Sequence, residues 1–142
     1  MNSLTRRSAL AFSLTTAGAL PALLIPGPAA ARRYRADAGE QIAPGVRRVE
    51  LSKRASEIPA YASVAMVDIV FQPKSKYANP SMASDMVCHC LEGELAIDQG
   101  TGKAFLVKAG DVWSCGKGMP ETTENRGTTV AIMRVIPLIA PA

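Results

Sequence analysis

The sequence predicts an all-β protein, and three observations carry that prediction. Short β-branched and apolar runs recur about every 8–12 residues, the spacing of sandwiches and barrels. Turn-forming clusters separate them, among them Glu92-Gly93, Gln99-Gly100-Thr101-Gly102, Ala109-Gly110-Asp111 and Gly116-Lys117-Gly118. Beyond residue 31 there is little of the apolar periodicity that marks an amphipathic helix.

Residues 1–31 precede that domain and read as an export signal. Thr5-Arg6-Arg7-Ser8-Ala9-Leu10 carries the paired arginines of a twin-arginine signal, although Ala9 stands where such signals prefer Phe. An apolar stretch over residues 9–25, Pro26-Gly27-Pro28 and the small-residue run Ala29-Ala30-Ala31 follow in order. Basic, apolar and small-residue regions in that order imply cleavage after Ala31 and a periplasmic or secreted product. The alternative, a membrane anchor, needs roughly 20 apolar residues, and Pro21, Pro26 and Pro28 interrupt this stretch.

Residues 32–45 are charged and rich in small residues, which suits an arm wrapping an edge better than a core element. The domain proper is expected over residues 46–142, with strands at 46–51, 62–71, 85–91, 94–98, 104–108, 112–115 and 128–136. Pro73 ends the second of these, and Gln99-Gly100-Thr101-Gly102 makes a hairpin turn between the fourth and fifth.

Charge and cysteine content narrow the function classes. The whole chain has 16 basic and 12 acidic side chains. Arg6 and Arg7 belong to the signal, which leaves a net charge of +2 on the remainder. No basic patch with interleaved aromatics suggests nucleic-acid binding. Cys88, Cys90 and Cys115 are an odd number in an oxidising compartment, so a disulfide, if formed, joins Cys115 to one of the other two. The alternative is three buried thiols that pack as small hydrophobes.

Residues 68–77 resemble the strand and proline turn that lead into the first conserved motif of cupins. Cys90-Leu91-Glu92-Gly93-Glu94-Leu95 is similar to the Val-Leu-Glu-Gly-Glu-Leu that closes that motif. Gly110-Asp111-Val112-Trp113, with Gly118 and Asn125 beyond it, resembles the second motif. The resemblance spans residues 64–137 and implies a cupin-type double-stranded β-helix, a jelly-roll barrel. It also implies a homodimer, as do continuous apolar strands that suggest burial on both faces.

The family's metal chemistry does not carry over. Cupins usually hold a divalent metal with His-x-His, a Glu or Gln, and a further His. Those positions fall here on Pro80, Met82, Met86 and Glu121, and the single histidine of the chain, His89, lies elsewhere. No metal or other cofactor is therefore expected. Met82, Met86, Cys88, Cys90, Cys115, Met119 and Glu121 become the candidate lining of an internal pocket, filled by apolar packing or by a small molecule. A Cu(I) site built from the same thioethers and thiols is the soft-metal alternative. Glu121 is either an exposed loop residue after Pro120 or an inward acid that orients a ligand or accepts a proton.

The expected function is accordingly an exported, small-molecule-binding cupin without a standard metal site. An enzyme with a non-standard site around Glu121, its catalytic residues not identified by the sequence, and a thiol redox protein are the alternatives.

Overall fold

The computed structural model describes residues 33–142, and the export-signal expectation lies outside them. Ten strands form two antiparallel sheets. In chain order they are β1 (Glu40–Ala43), β2 (Val46–Ala55), β3 (Ser63–Phe71), β4 (Lys76–Asn79), β5 (Asp85–Glu92), β6 (Glu94–Asp98), β7 (Ala104–Lys108), β8 (Val112–Cys115), β9 (Glu121–Glu124) and β10 (Ala131–Ile139). The large sheet runs β1-β2-β3-β10-β5-β8 and the small one β4-β9-β6-β7. The core lies between them, built from Val67, Ile69, Phe71, Cys88, Cys90, Met133 and Val135 on the large sheet and Leu95, Ile97 and Val107 on the small one.

Period-2 alternation explains which residues enter that core. On β6, Leu95 and Ile97 are buried while Glu94 and Asp98 are exposed. On β9, Glu121 and Thr123 are buried while Thr122 and Glu124 are only half-buried. β5 and β6 belong to different sheets, so the chain must turn a corner between Glu92 and Glu94. Gly93 makes that corner at φ 74°, where a Cβ would stand 2.8 Å from the Cβ of Ala131. Both the left-handed backbone and the close approach require glycine. The far corner is held by Asn125, 1 % exposed, whose Nδ2 donates to the carbonyls of Phe71, Gln72 and Thr129.

Several strands depart from the sequence expectation. β1 forms within the expected arm and pairs with β2 as the edge of the large sheet. β4 and β9, KYAN and ETTE, pair with each other and carry too few apolar residues to signal strands. Residues 128–130 precede β10, which runs three residues past the expected end.

The outward face of the large sheet is partly covered by the chain itself. Arg33 Nε donates to Glu92 Oε1 at 2.8 Å and the Tyr34 hydroxyl to Asp68 Oδ2 at 2.5 Å. These anchors bracket Val70 and Ile132, which are 7 % and 2 % exposed. Burial on both faces of β3 is thus partly met within one chain.

Candidate functional site

A cavity of about 130 Å³ opens between the sheets beside Glu121. β3 and β10 supply its apolar walls, Val67, Ile69, Met133 and Val135, because these strands pair Met133 with Ile69 and Val135 with Val67 on the inward face. β2 adds Arg48, two residues beyond buried Val46, and β4 adds Tyr77 and Asn79. Met82 is held by the loop between β8 and β9. Its N–H donates to the Met119 carbonyl and its own carbonyl accepts the Gly118 N–H, each at 2.8 Å.

Glu121 is 3 % exposed, which overturns its reading as an exposed loop residue. Four side chains donate to its carboxylate. Oε2 accepts Gln99 Nε2 at 3.0 Å, Trp113 Nε1 at 3.1 Å and Cys115 Sγ at 2.7 Å. Oε1 accepts the Thr123 hydroxyl at 3.1 Å. The donors come from β6's end, β8 and β9, so the two sheets jointly orient one acid. Convergent donors of this kind meet the cost of burying a carboxylate.

The seven pocket candidates divide by position. Met82, Met86, Cys88 and Glu121 line the cavity. Cys90, Cys115 and Met119 lie outside its lining. Cys90 Sγ lies 3.6 Å from each of the Glu92 and Gly93 carbonyls because β5 bends there into the corner. Cys115 sits behind Glu121 and accepts Gln99 Nε2 at 3.2 Å. The Met119 sulfur accepts the Gly116 N–H in its own turn. Pro80 is exposed at the end of β4. His89 is on the opposite face of β5, opposite Arg134 and Val112.

The three thiols are free, and Cys88 and Cys115 are in hydrogen-bond contact. That contact, burial and the negative charge of Glu121 push the Cys88 thiol far above its ordinary value. Burial foremost, then the Asp111 carboxylate, pushes Cys90 up to about 11. Both thiols are therefore held protonated, the inert rather than the nucleophilic form.

The divalent metal that the cupin resemblance implies does not fit the four positions that the resemblance assigns to it. Pro80 has no side-chain donor atom, Met82 and Met86 are soft thioethers, and Glu121 Oε2 already accepts three donors. Among the described residues no three His, Cys, Asp or Glu side chains are grouped to hold an ion.

Gln99, Thr123, Asn79 and Arg48 went unrecognised in the sequence, whereas Tyr77, an aromatic with a polar tip that a pocket can use, is in the lining. Gln99 was legible in principle: Leu95, Ile97 and Gln99 are spaced by two, which places Gln99 inward. It was absorbed instead into the hairpin turn that it flanks. A larger open groove of about 410 Å³ lies on the small sheet, lined by Lys76, Asp98, Glu124 and Arg126 among others. It includes none of the seven candidates.

No protein-family model matches the sequence, and no curated protein matches it. Solved structures do. The cupin domain of Cnp3 from Schizosaccharomyces pombe is 16 % identical with a TM-score of 0.54, over 66 % of this chain and 61 % of that one. This chain thus spans about three fifths of that structure's length. An RmlC-like cupin from Shewanella frigidimarina is 20 % identical with a TM-score of 0.54, covering 72 % and 82 % of the two chains. A cupin superfamily protein from Desulfitobacterium hafniense is 18 % identical, again at 0.54, covering 70 % and 83 %. Two facing antiparallel sheets and these likenesses show the cupin jelly-roll fold.

Proposed function

We propose that this chain is an exported cupin-fold protein that holds a small molecule in the cavity between its sheets. One observation carries the reading: apolar walls from β3 and β10 enclose a space whose inner end is a carboxylate oriented by four donors. An apolar enclosure with a few convergent polar groups is the usual form of a small-molecule site. Binding is favoured over nucleophilic catalysis because the two thiols nearest the core corner and cavity are held protonated. Export rests on the order of regions in residues 1–31.

A thermal-shift screen of compounds smaller than about ten non-hydrogen atoms tests the binding role, with Val135→Phe as the cavity-filling control. Hits should stabilise the wild type and lose their effect in Val135→Phe. Hits that stabilise both equally would place binding elsewhere. Stabilisation by Cu(I) alone, under reducing conditions and dependent on Met86, would replace this reading with the soft-metal one.

We also propose a homodimer through the outward face of β5 and β8, where Val87 and Val112 are 41 % and 68 % exposed. Native mass spectrometry of the exported protein should show paired chains beginning at Arg32. Single chains, or chains retaining residues 1–31, would contradict one or other part.

A further inference from the structure

The cavity's lining holds two groups of opposite charge. Glu121, 3 % exposed, marks the closed end. Arg48, whose side chain is 44 % exposed, marks the solvent end. Between them the walls are apolar, chiefly Val67, Ile69, Met133 and Val135. The volume of about 130 Å³ is close to the roughly 150 Å³ of an engineered cavity that takes benzene, so about six non-hydrogen atoms fit inside and the end group of a longer ligand stands at the mouth beside Arg48.

We propose, building on the small-molecule reading above, that the cavity takes a short aliphatic ligand bearing an anionic group at one end and a hydrogen-bond donor, ammonium or hydroxyl, at the other. The donor end meets Glu121, the anionic end meets Arg48, and about four or five carbons span the apolar walls.

Three observations assign the ends. Glu121 Oε2 takes three donors, whereas Oε1 takes only the Thr123 hydroxyl among the described residues, which leaves acceptor capacity for a ligand. The charge of Glu121 already helps hold the Cys88 thiol protonated, so a second anion at this end is disfavoured. Among the described residues Arg48 is committed only through Nε to Glu50 Oε1, at 2.7 Å, in an exposed pair that a ligand carboxylate can exchange or share.

The chain has one tryptophan, and its indole N–H donates to Glu121 Oε2. Its ¹⁵N–¹H resonance in the full-length protein therefore reports on that carboxylate, while the Met82, Met86 and Met133 methyls report on the walls. Titration would use 5-aminopentanoate, 5-hydroxypentanoate, pentanoate and pentylamine. At least one bifunctional probe should move the Trp113 resonance and bind about tenfold or more tighter than pentanoate, the contribution of one charge-assisted hydrogen bond. Arg48→Gln should weaken that probe by a similar factor while leaving pentylamine unaffected.

Pentanoate binding as tightly as both bifunctional probes, with Trp113 unmoved and the methyls shifted, would overturn this assignment yet keep the cavity as a binding site. So would an Arg48→Gln variant that binds the bifunctional probe as wild type does. No methyl shift with any of the four probes would overturn the ligand class. It would count against cavity binding as well if the compound screen also returned no hit sensitive to Val135→Phe.

Discussion

At the residue scale, Glu121 concentrates the structure's polar cost. Replacing it by alanine leaves the Trp113 and Thr123 donors without this acceptor, while Gln99 Nε2 keeps the Ser114 carbonyl and Cys115 Sγ, and each unmet buried donor costs about 1–3 kcal/mol. Glu121→Ala should therefore be among the more destabilising single changes, read by urea denaturation. A loss below about 1 kcal/mol would show that the carboxylate is not buried among these donors. The thiols make a second prediction, through pH. Cys90 is pushed up to about 11 in the fold from the ordinary thiol value near 9, so below pH 9 both folded and unfolded states hold its proton and its contribution is complete. As pH rises from 9 towards 11 the unfolded thiol ionises first, and stability falls. Denaturation at pH 8 and pH 10.5 should show this fall in the wild type and a shallower one in Cys90→Ala. Equal slopes in the two proteins would remove Cys90 as a source. The inwardness of Glu121 could not be read from its surroundings in sequence, because Pro120-Glu121-Thr122-Thr123 is as polar as any loop. Only the pairing of β9 with β4 and β6 turns it inward.

At the scale of elements, the strands with strong apolar or β-branched signals were legible and the polar ones were not. β6, β7 and β8 match their sequence-derived bounds because glycine-containing turns flank each of them. β4 and β9 escaped notice because their partners, rather than their own composition, make them strands, which is the usual dependence of β structure on context. The same dependence hid Asn79 and Thr123. β3 and β10 show a different tertiary effect. Asp68, fully buried on β3, is opposite Arg134 on β10, and Arg134 Nε and Nη2 reach its two oxygens at 2.8 and 2.9 Å. The Arg134 side chain is 26 % exposed and Tyr34 still donates to Asp68, so Arg134→Met leaves the buried carboxylate only partly compensated and should cost about 1–3 kcal/mol. Asp68→Asn paired with Arg134→Met should recover part of that loss. A single variant as stable as wild type would show that Tyr34 alone satisfies Asp68.

At the scale of the whole molecule, the cupin barrel was legible because its corners are fixed by local chemistry. Gly93 cannot accept a side chain against Ala131, Asp111 Oδ2 accepts the Lys108 N–H, and Asn125 ties the far corner, all at positions the motifs supplied. The centre of the barrel was less legible. Residue types told which metal ligands were missing, but not that Gln99, Trp113, Cys115 and Thr123 would converge on the acid at one of those positions. We propose that the barrel's centre is filled by thioethers and a hydrogen-bonded carboxylate in place of a metal, beside a small cavity. Elemental analysis of the protein, purified without chelator or affinity-tag histidines, tests that proposal most directly. The expected result is far less than one iron, manganese or zinc per chain in both wild type and Glu121→Gln. About one such metal per chain in the wild type, lost in Glu121→Gln, would contradict it.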